Sequence, residues 1–514
     1  MLSGFVLTRE EMQAADRWTI DELGLPSLVL MEVAGRAVSD AALRLGAGRP
    51  VLAVAGTGNN GADALVAARH LAEAGQTVHA LVIGSDDRMT RDSIQQQAFL
   101  RRLGIRMDRV ETRMAEAEVC RALASTPLVV DGVFGTGLSR PPEGPLAAVL
   151  HRLARASVPL VSVDIPSGVD ANTGQAHGPA VAADVTVTFQ FPKLGHVLHP
   201  GRDLAGRLHV ADIGIPGRVL RRIRPLADVI APVHPQARAS TAHKGTFGHV
   251  LVVAGAPDKP GSALLMARGA QCVGAGLVTV GGVEETVRRL APNFGSLMGV
   301  RLGRGWVAVE RLAREAVERT VTVIGPSLPG DARTEKLLRE AFGPEAPAEG
   351  VRLVLDAGAL RGLEDGKRPD GWVRRRSGPT ILTPHPGEMA ALLDASVAEV
   401  QGDRVGAARR FSSACGSTVV LKGASTLVAE PSGRVGVCLG GNPGMGTAGA
   451  GDVLAGMVAG IWAQGCTPGE AARAGVWLHA AAGDESAARF GQSATSAESI
   501  LEALRQGEPA HGQP

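Results

Sequence analysis

The first half of the chain alternates short apolar runs with segments of helical periodicity. Apolar runs occupy residues 50–55, 78–83, 127–130 and 158–163, and an Ala-rich segment that ends at Ala74 separates the first two. Before them, Thr8 and Glu11 have the spacing of a capping box at the start of a helix. Short apolar strands separated by helices are typical of a parallel sheet with helices on its faces. The pattern predicts an α/β domain.

The second half has the same alternation. Apolar runs lie at residues 249–254, 278–280, 321–324, 352–355, 380–382 and 419–421, and a helix of small residues is predicted over 262–272. Between about Pro216 and Ala242 the periodicity is weak, which predicts a domain junction. A chain of 514 residues also exceeds what one hydrophobic core usually supports. We therefore expect two doubly wound α/β domains, over residues 1–222 and 229–506.

Three polar, glycine-containing turns follow predicted strands of the first domain: GTGNNGAD (56–63), DGVFGTGLSR (131–140) and DIPSGVD (164–170). Because ligands of doubly wound sheets lie at the carboxyl ends of strands, we expect these turns to converge on one crevice. Asn60, Asp131 and Ser167 offer oxygens there, and oxygen ligands with one carboxylate suit potassium better than zinc. Alternatively, such side chains only stabilise local turns. Lys193 follows another predicted strand and contacts either a phosphate or solvent.

A glycine-rich stretch, GGNPGMGTAGAGDVLAG (440–456), organises the second domain. Six glycines in the twelve residues from Gly440 to Gly451 exclude a helix or a packed strand, whereas an apolar helix is predicted from Asp452 onward. A glycine loop that leads into a helix presents unpaired N–H groups to an anion such as phosphate. We interpret Asp452 as the general base for a hydroxyl that attacks this phosphate. Capping of the helix is the alternative.

Two further turns carry polar residues at strand ends of the second domain. His385 lies between two prolines, which hold it in a rigid extended turn, and partner ligands for a metal are lacking beside it. We expect it to contact a polar substrate, and a purely structural role is the alternative. Lys422, with the hydroxyls of Ser425 and Thr426, offers a positive charge and donors suited to nucleotide phosphates.

Composition narrows the class of protein. The net charge is +2 with dispersed charges, which argues against nucleic acid or an anionic membrane as partner. The five cysteines are scattered without a CxxC pair, as expected in a reducing compartment. The N-terminus has no charged start followed by an apolar run, and no window reaches transmembrane length. We predict a cytoplasmic enzyme.

Taken together, the motifs resemble those of the bifunctional NAD(P)H-hydrate repair enzymes over nearly the full chain. The three turns of the first domain resemble the epimerase domain of that family, which implies a Rossmann-like fold. The second domain resembles the ADP-dependent dehydratase, which implies a ribokinase-like fold, through HKGTFG (243–248), LTPHPGE (382–388), LKGAST (421–426) and GTAGAGD (446–452). The order and spacing of these motifs make the resemblance specific.

This resemblance implies repair of reduced nicotinamide cofactors that have taken up water. The second domain would transfer phosphate from ADP to the ring hydroxyl of the S hydrate, and loss of phosphate would give NADH or NADPH, AMP and orthophosphate. The first domain would interconvert the R and S hydrates. Potassium in the first domain and magnesium with ADP in the second are implied as well. We also expect a homo-oligomer.

Residue roles follow from the same resemblance. Asp164 is the expected acid/base of epimerisation, and Asp452 that of phosphate transfer. In the first domain the hydrate is expected to contact Asn59, Asn60, Gly61, Ala62, Asp63, Gly135, Thr136, Gly137, Leu138, Ser139, Arg140, Pro141 and Asp164. In the second it is expected to contact Ser262, Ser327, His385 and Asp452. The nucleotide is expected to contact Lys422, Gly423, Ala424, Ser425, Thr426 and Gly451, and potassium is expected to bind Asn60, Asp131 and Ser167.

The chain departs from the family pattern at several positions. Ala62 replaces a glycine, and its methyl is expected to crowd a ligand that approaches the backbone. Val33 replaces an Asn, Ser262 replaces an Ala, and a Gly-Pro-Gly-Leu-Gly turn is Gly325-Pro-Ser-Leu-Pro329 here. Two alternatives stay open: a small-molecule kinase of the same fold, and a first domain that binds a ligand without catalysis.

Overall fold

Each of the two units into which the chain divides is built on a largely parallel β-sheet. The computed structural model describes residues 4–506 apart from 85–88, 126, 139, 177, 234–237, 327 and 364–370, and the division falls between Ala227 and Asp228. The predicted fold class, two α/β units with parallel sheets, is confirmed.

Seven parallel strands form the sheet of the N-terminal unit, counted over its described residues. A short strand β1 (Gly4–Val6) precedes them in the chain and is not part of this sheet. The seven strands are β2 (Val51–Ala55), β3 (Val78–Ile83), β4 (Arg106–Val110), β5 (Leu128–Gly132), β6 (Leu160–Val163), β7 (Val185–Phe189) and β8 (Arg207–Ala211). Their order in the sheet is β4-β3-β2-β5-β6-β7-β8. After β2 the chain adds β3 and β4 on one side of β2, and it then continues with β5 on the other side. The turns after β2 and β5 therefore meet at a topological switch point.

Helices cover both faces of this sheet. They are α1 (Arg9–Arg17), which continues as a π-helix over Trp18–Glu22, α2 (Ser27–Gly46), α3 (Asn59–Glu73), α4 (Arg91–Arg102), α5 (Ala115–Leu123), α6 (Gly144–Ala154), α7 (Gly201–Leu204) and α8 (Val219–Ile223). The predicted capping box of Thr8 and Glu11 is present at α1. Alternate residues of β2 enter separate core clusters, one with α2 and α3 and the other with α5 and α6, so β2 is buried on both faces.

The sheet of the C-terminal unit is parallel in its centre and antiparallel towards one edge. Its strands are β9 (Ala227–Val229), β10 (His249–Val253), β11 (Leu277–Val283), β12 (Met298–Gly303), β13 (Val321–Ile324), β14 (Arg352–Leu355), β15 (Thr380–Leu382), β16 (Thr418–Leu421), β17 (Leu427–Ala429) and β18 (Val435–Val437). They run in the order β9-β18-β17-β16-β15-β14-β13-β10-β11-β12. The carboxyl ends of β10 to β16 therefore lie along one edge of the sheet.

Helices also surround this second sheet. They are α9 (Gly261–Cys272), α10 (Glu284–Leu290), α11 (Val309–Val317), α12 (Ala332–Phe342), α13 (Gly358–Arg361), α14 (Gly371–Arg375), α15 (Pro386–Leu393), α16 (Val397–Gly402), α17 (Arg404–Cys415), α18 (Ala450–Trp462), α19 (Pro468–Phe490) and α20 (Ala497–Arg505). Glycines let α9 and α18 approach closely: a Cβ on Gly456 would lie 1.9 Å from the Met266 carbonyl oxygen. This contact fixes the start of α18, which carries Asp452, beside α9.

Among the described residues, none of the helices combines the length and the apolar character that crossing a bilayer requires.

Candidate active sites

The turn after β2 is a tight loop that requires glycine at two positions. A Cβ on Gly56 would lie 2.2 Å from the Val133 carbonyl oxygen, and a Cβ on Gly61 would lie 2.1 Å from the Gly56 carbonyl oxygen. The side chain of Asn60 donates a hydrogen bond to the Phe134 carbonyl oxygen at 2.9 Å. The turns after β2 and β5 therefore touch each other, as the sequence predicts.

Asp131, at the end of β5, accepts hydrogen bonds from the turn after β6. The Ser167 hydroxyl donates to its Oδ1 at 2.6 Å, and the Ser167 amide and the Ser162 hydroxyl donate to its Oδ2 at 3.0 and 2.9 Å. Burial raises the pKa of this fully buried carboxyl, although these hydrogen bonds oppose the increase. The Ser167 hydroxyl also lies 3.1 Å from the Phe134 carbonyl oxygen. The three predicted potassium ligands thus lie together: the Asn60 side-chain nitrogen and the Ser167 hydroxyl both contact the Phe134 carbonyl oxygen, and Asp131 accepts from Ser167.

Asp164 follows β6 directly and forms a buried ion pair with Lys193. The Lys193 ammonium lies 2.5 Å from Asp164 Oδ1, and the Thr188 hydroxyl donates to the same oxygen at 3.0 Å. Burial opposes ionisation of Asp164, but the ammonium outweighs it and holds the pKa of this carboxyl below its usual range. The backbone of Asp164 has φ of 62°, a conformation that non-glycine residues rarely adopt outside functional or strained sites. The interpretation of Lys193 as a solvated surface residue is wrong, since its exposed fraction is 1%.

Further ionisable groups surround this ion pair. Burial raises the pKa of Asp16 to about 6, and burial with the nearby Asp164 charge raises the pKa of Asp63 well above its usual range. Burial lowers the pKa of His196 to about 4, and its Nε2 lies 2.9 Å from the Asp164 carbonyl oxygen. The N-terminal site thus combines an ionised carboxylate, Asp164, with two carboxyl groups of raised pKa, a combination suited to acid–base chemistry.

The other residues predicted to contact the hydrate in this unit vary in exposure. Asn59, Gly137, Arg140 and Pro141 are exposed, Gly135, Thr136 and Leu138 are half-buried, and Ser139 lies outside the described residues. Ala62 is fully buried in a cluster with Met31 and Val66. Its methyl group therefore packs in the core, and the expectation that it would crowd a ligand is wrong.

In the C-terminal unit, the glycine-rich loop leads into α18 as predicted. Gly449 is the N-cap with φ of 87°, and the helix begins at Ala450 without a side-chain cap. Asp452 is the third residue of the helix, so the alternative that it caps the helix is wrong. A carboxylate in the first turn also interacts favourably with the helix dipole.

Asp452 lies between Ser262 at the start of α9 and the ammonium of Lys422. The Ser262 hydroxyl lies close enough to the Asp452 carboxylate to favour its ionised form. Burial raises the pKa of Asp452 to about 7, and the charge of Asp356 adds to the increase, while Ser262 and Lys422 oppose it. A carboxyl group with a pKa near neutrality is well suited to accept a proton as a general base.

Lys422 connects the ends of three neighbouring strands. Its ammonium lies 2.7 Å from Asp356 Oδ1 after β14 and 3.8 Å from Glu388 Oε2, in the first turn of α15 after β15. Burial alone would lower the pKa of Lys422, but Asp356 and Glu388 raise it above its usual value. The buried Asp356 carboxylate also accepts a hydrogen bond from the Thr383 hydroxyl at 2.7 Å. Lys422 is therefore held in place beside Asp452.

His385 is the N-cap of α15. Its Nδ1 accepts hydrogen bonds from the amides of Gly387 and Glu388 at 3.0 and 3.2 Å, which fixes the ring. Its Nε2 lies 3.4 Å from Glu388 Oε1, and about half of the side chain is exposed. The ring can therefore both cap the helix and contact a substrate.

The predicted nucleotide loop follows β16. Gly423 has φ of 125° and Ser425 has φ of 53°, and the Thr426 hydroxyl donates to the Gly423 carbonyl oxygen at 2.8 Å, so the loop is folded back tightly on itself. Gly423 and Ala424 are exposed. A Cβ on Gly451 would lie 3.5 Å from the Lys422 ammonium, so the glycine-rich loop and this loop adjoin each other. Ser327 lies outside the described residues.

Three residues of the C-terminal site and its N-terminal counterpart have roles that sequence reasoning missed. Asp356 and Glu388 were visible only as acids after predicted strands, and Asp16 only as one acid within a helix. The signal available in the sequence was their position. Asp356 and Glu388 follow strands that end at the same sheet edge as Lys422, and Asp16 lies on α1 near the start of the same unit.

Comparisons with known proteins cover both units. The family described as YjeF-related protein N-terminus matches residues 27–195, and that described as NAD(P)H-hydrate dehydratase matches residues 250–506. A bifunctional NAD(P)H-hydrate repair enzyme Nnr of Moorella thermoacetica is 38% identical over 97% of this chain and 96% of its own length. Another, of Thermofilum pendens, is 36% identical over 96% and 94%. A crystal structure of the ADP/ATP-dependent NAD(P)H-hydrate dehydratase of Bacillus subtilis, co-crystallised with ATP and Mg²⁺, is 29% identical, covers 52% of this chain and 92% of that chain, and has a TM-score of 0.46.

Proposed function

The chain belongs to the family of bifunctional NAD(P)H-hydrate repair enzymes, and from this membership we propose that it carries out both reactions of that name. The N-terminal unit interconverts the R and S hydrates of NADH and NADPH. The C-terminal unit dehydrates the S hydrate at the expense of ADP, which gives the reduced cofactor, AMP and orthophosphate. The functional domains are proposed to span residues 1–222 and 229–506.

In the dehydration reaction, Asp452 removes the proton from the ring hydroxyl as its oxygen attacks the terminal phosphorus of ADP. The bond from that phosphorus to the oxygen of AMP breaks. The phosphate ester then leaves as orthophosphate, the neighbouring ring carbon loses a proton to solvent, and the ring double bond forms again. Lys422 and the amides at the start of α18 stabilise charge on the transferring phosphoryl group. The observation that supports this reaction most is the position of Asp452 between Ser262 and Lys422, with a pKa of about 7.

Nucleotide binding is proposed for Lys422, Gly423, Ala424, Ser425, Thr426 and Gly451. The described residues contain no group of three or more His, Cys, Asp or Glu arranged around a metal. The carboxylates of Asp356 and Glu388 nevertheless share one ammonium, that of Lys422, so one negative charge is left unbalanced. Mg²⁺ in proteins commonly uses one or two carboxylates together with substrate phosphates. Both residues therefore fit magnesium that arrives with ADP, where it would neutralise phosphate charge.

In the epimerisation reaction, Asp164 holds the proton-accepting position and Lys193 keeps it ionised. Asp63 lies close enough for its charge to be coupled to Asp164, and its raised pKa favours a carboxyl group that donates a proton. The hydrate is proposed to contact the turns at residues 59–63 and 135–141. Ionised Asp164 and protonated Asp63 would exchange protons with it there.

Potassium is proposed to bind Asn60, Asp131 and Ser167. Asp131 and Ser167 supply a carboxylate and a hydroxyl oxygen beside the Phe134 carbonyl oxygen, and the Asn60 side chain, whose nitrogen donates to that carbonyl, also carries an amide oxygen. Oxygen donors with a single carboxylate fit a monovalent cation. Bound potassium would hold the turns after β5 and β6 together and supply a fixed positive charge. Cytoplasmic location and a homo-oligomeric state are proposed as well.

The proposed function is tested by supplying purified NADH hydrate with ADP and magnesium and following the return of reduced-nicotinamide absorbance. We expect return with wild type and release of orthophosphate. A stable phosphorylated alcohol as the product would favour the small-molecule kinase instead. For the N-terminal unit, Asp164→Ala should reduce epimerisation to its spontaneous rate, whereas an unchanged rate would favour a non-catalytic binding module.

A further inference from the structure

An apolar pocket of about 290 Å³ lies at the carboxyl ends of β10, β11 and β12. Its wall includes Ala256 and Pro257 after β10, Gly282 near the end of β11, Trp306 after β12, and Pro329 after β13. The two reactions described above assign no role to these residues. Its volume and apolar wall suit one planar ring system of a larger ligand.

This pocket adjoins the position of Asp452. The amide of Gly255, which lines the pocket, donates to the Pro326 carbonyl oxygen at 3.1 Å in the turn that precedes Leu328 and Pro329. A Cβ on Gly255 would lie 3.0 Å from the Cβ of Ala263, and Ala263 follows Ser262, whose hydroxyl lies near the Asp452 carboxylate. The pocket and the reacting position therefore share the segment that joins β10 to α9.

The order of strands separates this pocket from the nucleotide loop. Lys422, His385 and Asp356 follow β16, β15 and β14, which are neighbours in the sheet. The pocket lies beyond β13, at the ends of β10 and β11. Neighbouring strands are roughly 4.8 Å apart, so β16 and β11 are separated by about 24 Å. The phosphate donor and the pocket thus flank Asp452 from opposite sides. An occupant of the pocket is therefore part of the substrate that carries the hydroxyl.

We propose that this pocket binds the adenine ring of the hydrated dinucleotide, the end of the substrate that does not react. The proposal rests on the proposed function of the C-terminal unit. Gly282 places no side chain on the wall of the pocket, and Trp306 supplies an aromatic surface for a flat ring. Binding of this remote group helps to hold the hydrated ring in position beside Asp452.

The test compares two substrates with ADP and magnesium: NADH hydrate, and the hydrate of reduced nicotinamide mononucleotide, which lacks the adenosine half. Trp306→Ala removes the aromatic surface, and Ala256→Leu fills the pocket. For each variant we expect kcat/KM for NADH hydrate to fall by about tenfold, the effect of losing one base–aromatic contact. The value for the mononucleotide hydrate should change less than twofold, and Trp306→Phe should recover most of the loss.

Ala291→Leu is the matched control, because it makes the same substitution at an exposed residue outside the pocket. It should leave both substrates unaffected. Equal losses for the two hydrates, or no loss for NADH hydrate, would overturn the assignment of the pocket while leaving the proposed function intact. Failure of the wild-type chain to dehydrate either hydrate would instead overturn the proposed function, and this inference with it.

Discussion

The carboxylate of Asp452 is the group on which the proposed phosphate transfer depends most. Asp452→Asn keeps the shape of the side chain and its contact with Ser262 but removes the ability to accept a proton. We expect the rate of dehydration to fall by roughly 10²–10⁴-fold, the usual contribution of a general base. Return of reduced-nicotinamide absorbance measures this rate. Epimerisation by the same variant is the internal control, and a dehydration rate within a few fold of wild type would exclude Asp452 as the base.

The pH dependence of dehydration follows from the charges around Asp452. With a pKa of about 7, the ionised base predominates only above neutral pH, so kcat/KM should fall as the pH drops through 7. Asp356→Asn removes a neighbouring negative charge that raises this pKa, so the acid limb of the profile should move to lower pH.

Thr383→Val is the control for this shift, because it removes the hydrogen bond to Asp356 but keeps its charge. Its acid limb should stay where the wild-type limb lies. If the acid limb of the kcat/KM profile of Asp356→Asn lies at the same pH as that of wild type, the Asp356 carboxylate does not raise the pKa of Asp452.

Lys193 illustrates what the sequence could not supply at this scale. Its position after a predicted strand indicated a site, but its partner Asp164 lies 29 residues away along the chain. The number of residues between Lys193 and Asp164 does not give the distance between their side chains. The sequence therefore could not distinguish a lysine in a buried ion pair from a lysine at the surface. The same holds for Lys422 and Asp356, which are 66 residues apart. Candidate residues were therefore predictable, whereas their partners were not.

Replacement of Lys193 by Met tests its role beside Asp164. Without the ammonium, burial dominates and the pKa of Asp164 rises, so epimerisation at neutral pH should slow and recover at higher pH. Because one partner of a buried pair is left alone, the N-terminal unit should also lose about 3–5 kcal/mol of stability. Epimerisation rates across pH and thermal unfolding measure the two effects. An epimerase pH profile identical to that of wild type would contradict the assignment.

At the scale of elements, the turn between β2 and α3 requires glycine at positions 56 and 61 but has room for a side chain at position 58. Gly61→Ala places a methyl 2.1 Å from the Gly56 carbonyl oxygen, so the turn must deform and we expect a loss of about 1–3 kcal/mol. Gly58→Ala is the matched control, because φ there is −84° and nothing lies within 4 Å of the added carbon. Thermal unfolding of the two variants compares them. Equal melting temperatures would mean that the turn adapts without cost.

Central strands were predictable and edge strands were not. β3, β13, β14 and β15 coincide with apolar runs in the sequence, because a strand covered by helices on both faces is apolar throughout. β4 and β12 lie at sheet edges and carry exposed residues, so their patterns resemble loops. β17 and β18 have three residues each and form an antiparallel pair, too short for periodicity to reveal. The predicted site survived these omissions because it lies at the ends of the central strands.

For the whole molecule, the two proposed activities predict that loss of epimerisation divides the recovery of a hydrate mixture into two phases. An equal mixture of R and S hydrates with ADP and magnesium should recover completely in one phase with wild type, since epimerisation supplies the S form. Asp164→Asn should recover the S half rapidly and the rest only at the spontaneous rate of interconversion. Spectroscopic recovery over time measures both phases.

Mixing two variants then asks whether the units depend on each other within one chain. Asp164→Asn retains the proposed dehydratase and Asp452→Asn retains the proposed epimerase, so the mixture should recover both hydrates through substrate that diffuses between molecules. Recovery that approaches wild type as the Asp452→Asn variant is added in excess would mean that fusion serves only to supply both activities together. A slow phase that persists at any excess would require transfer between the units of a single chain, since each variant keeps one site whole.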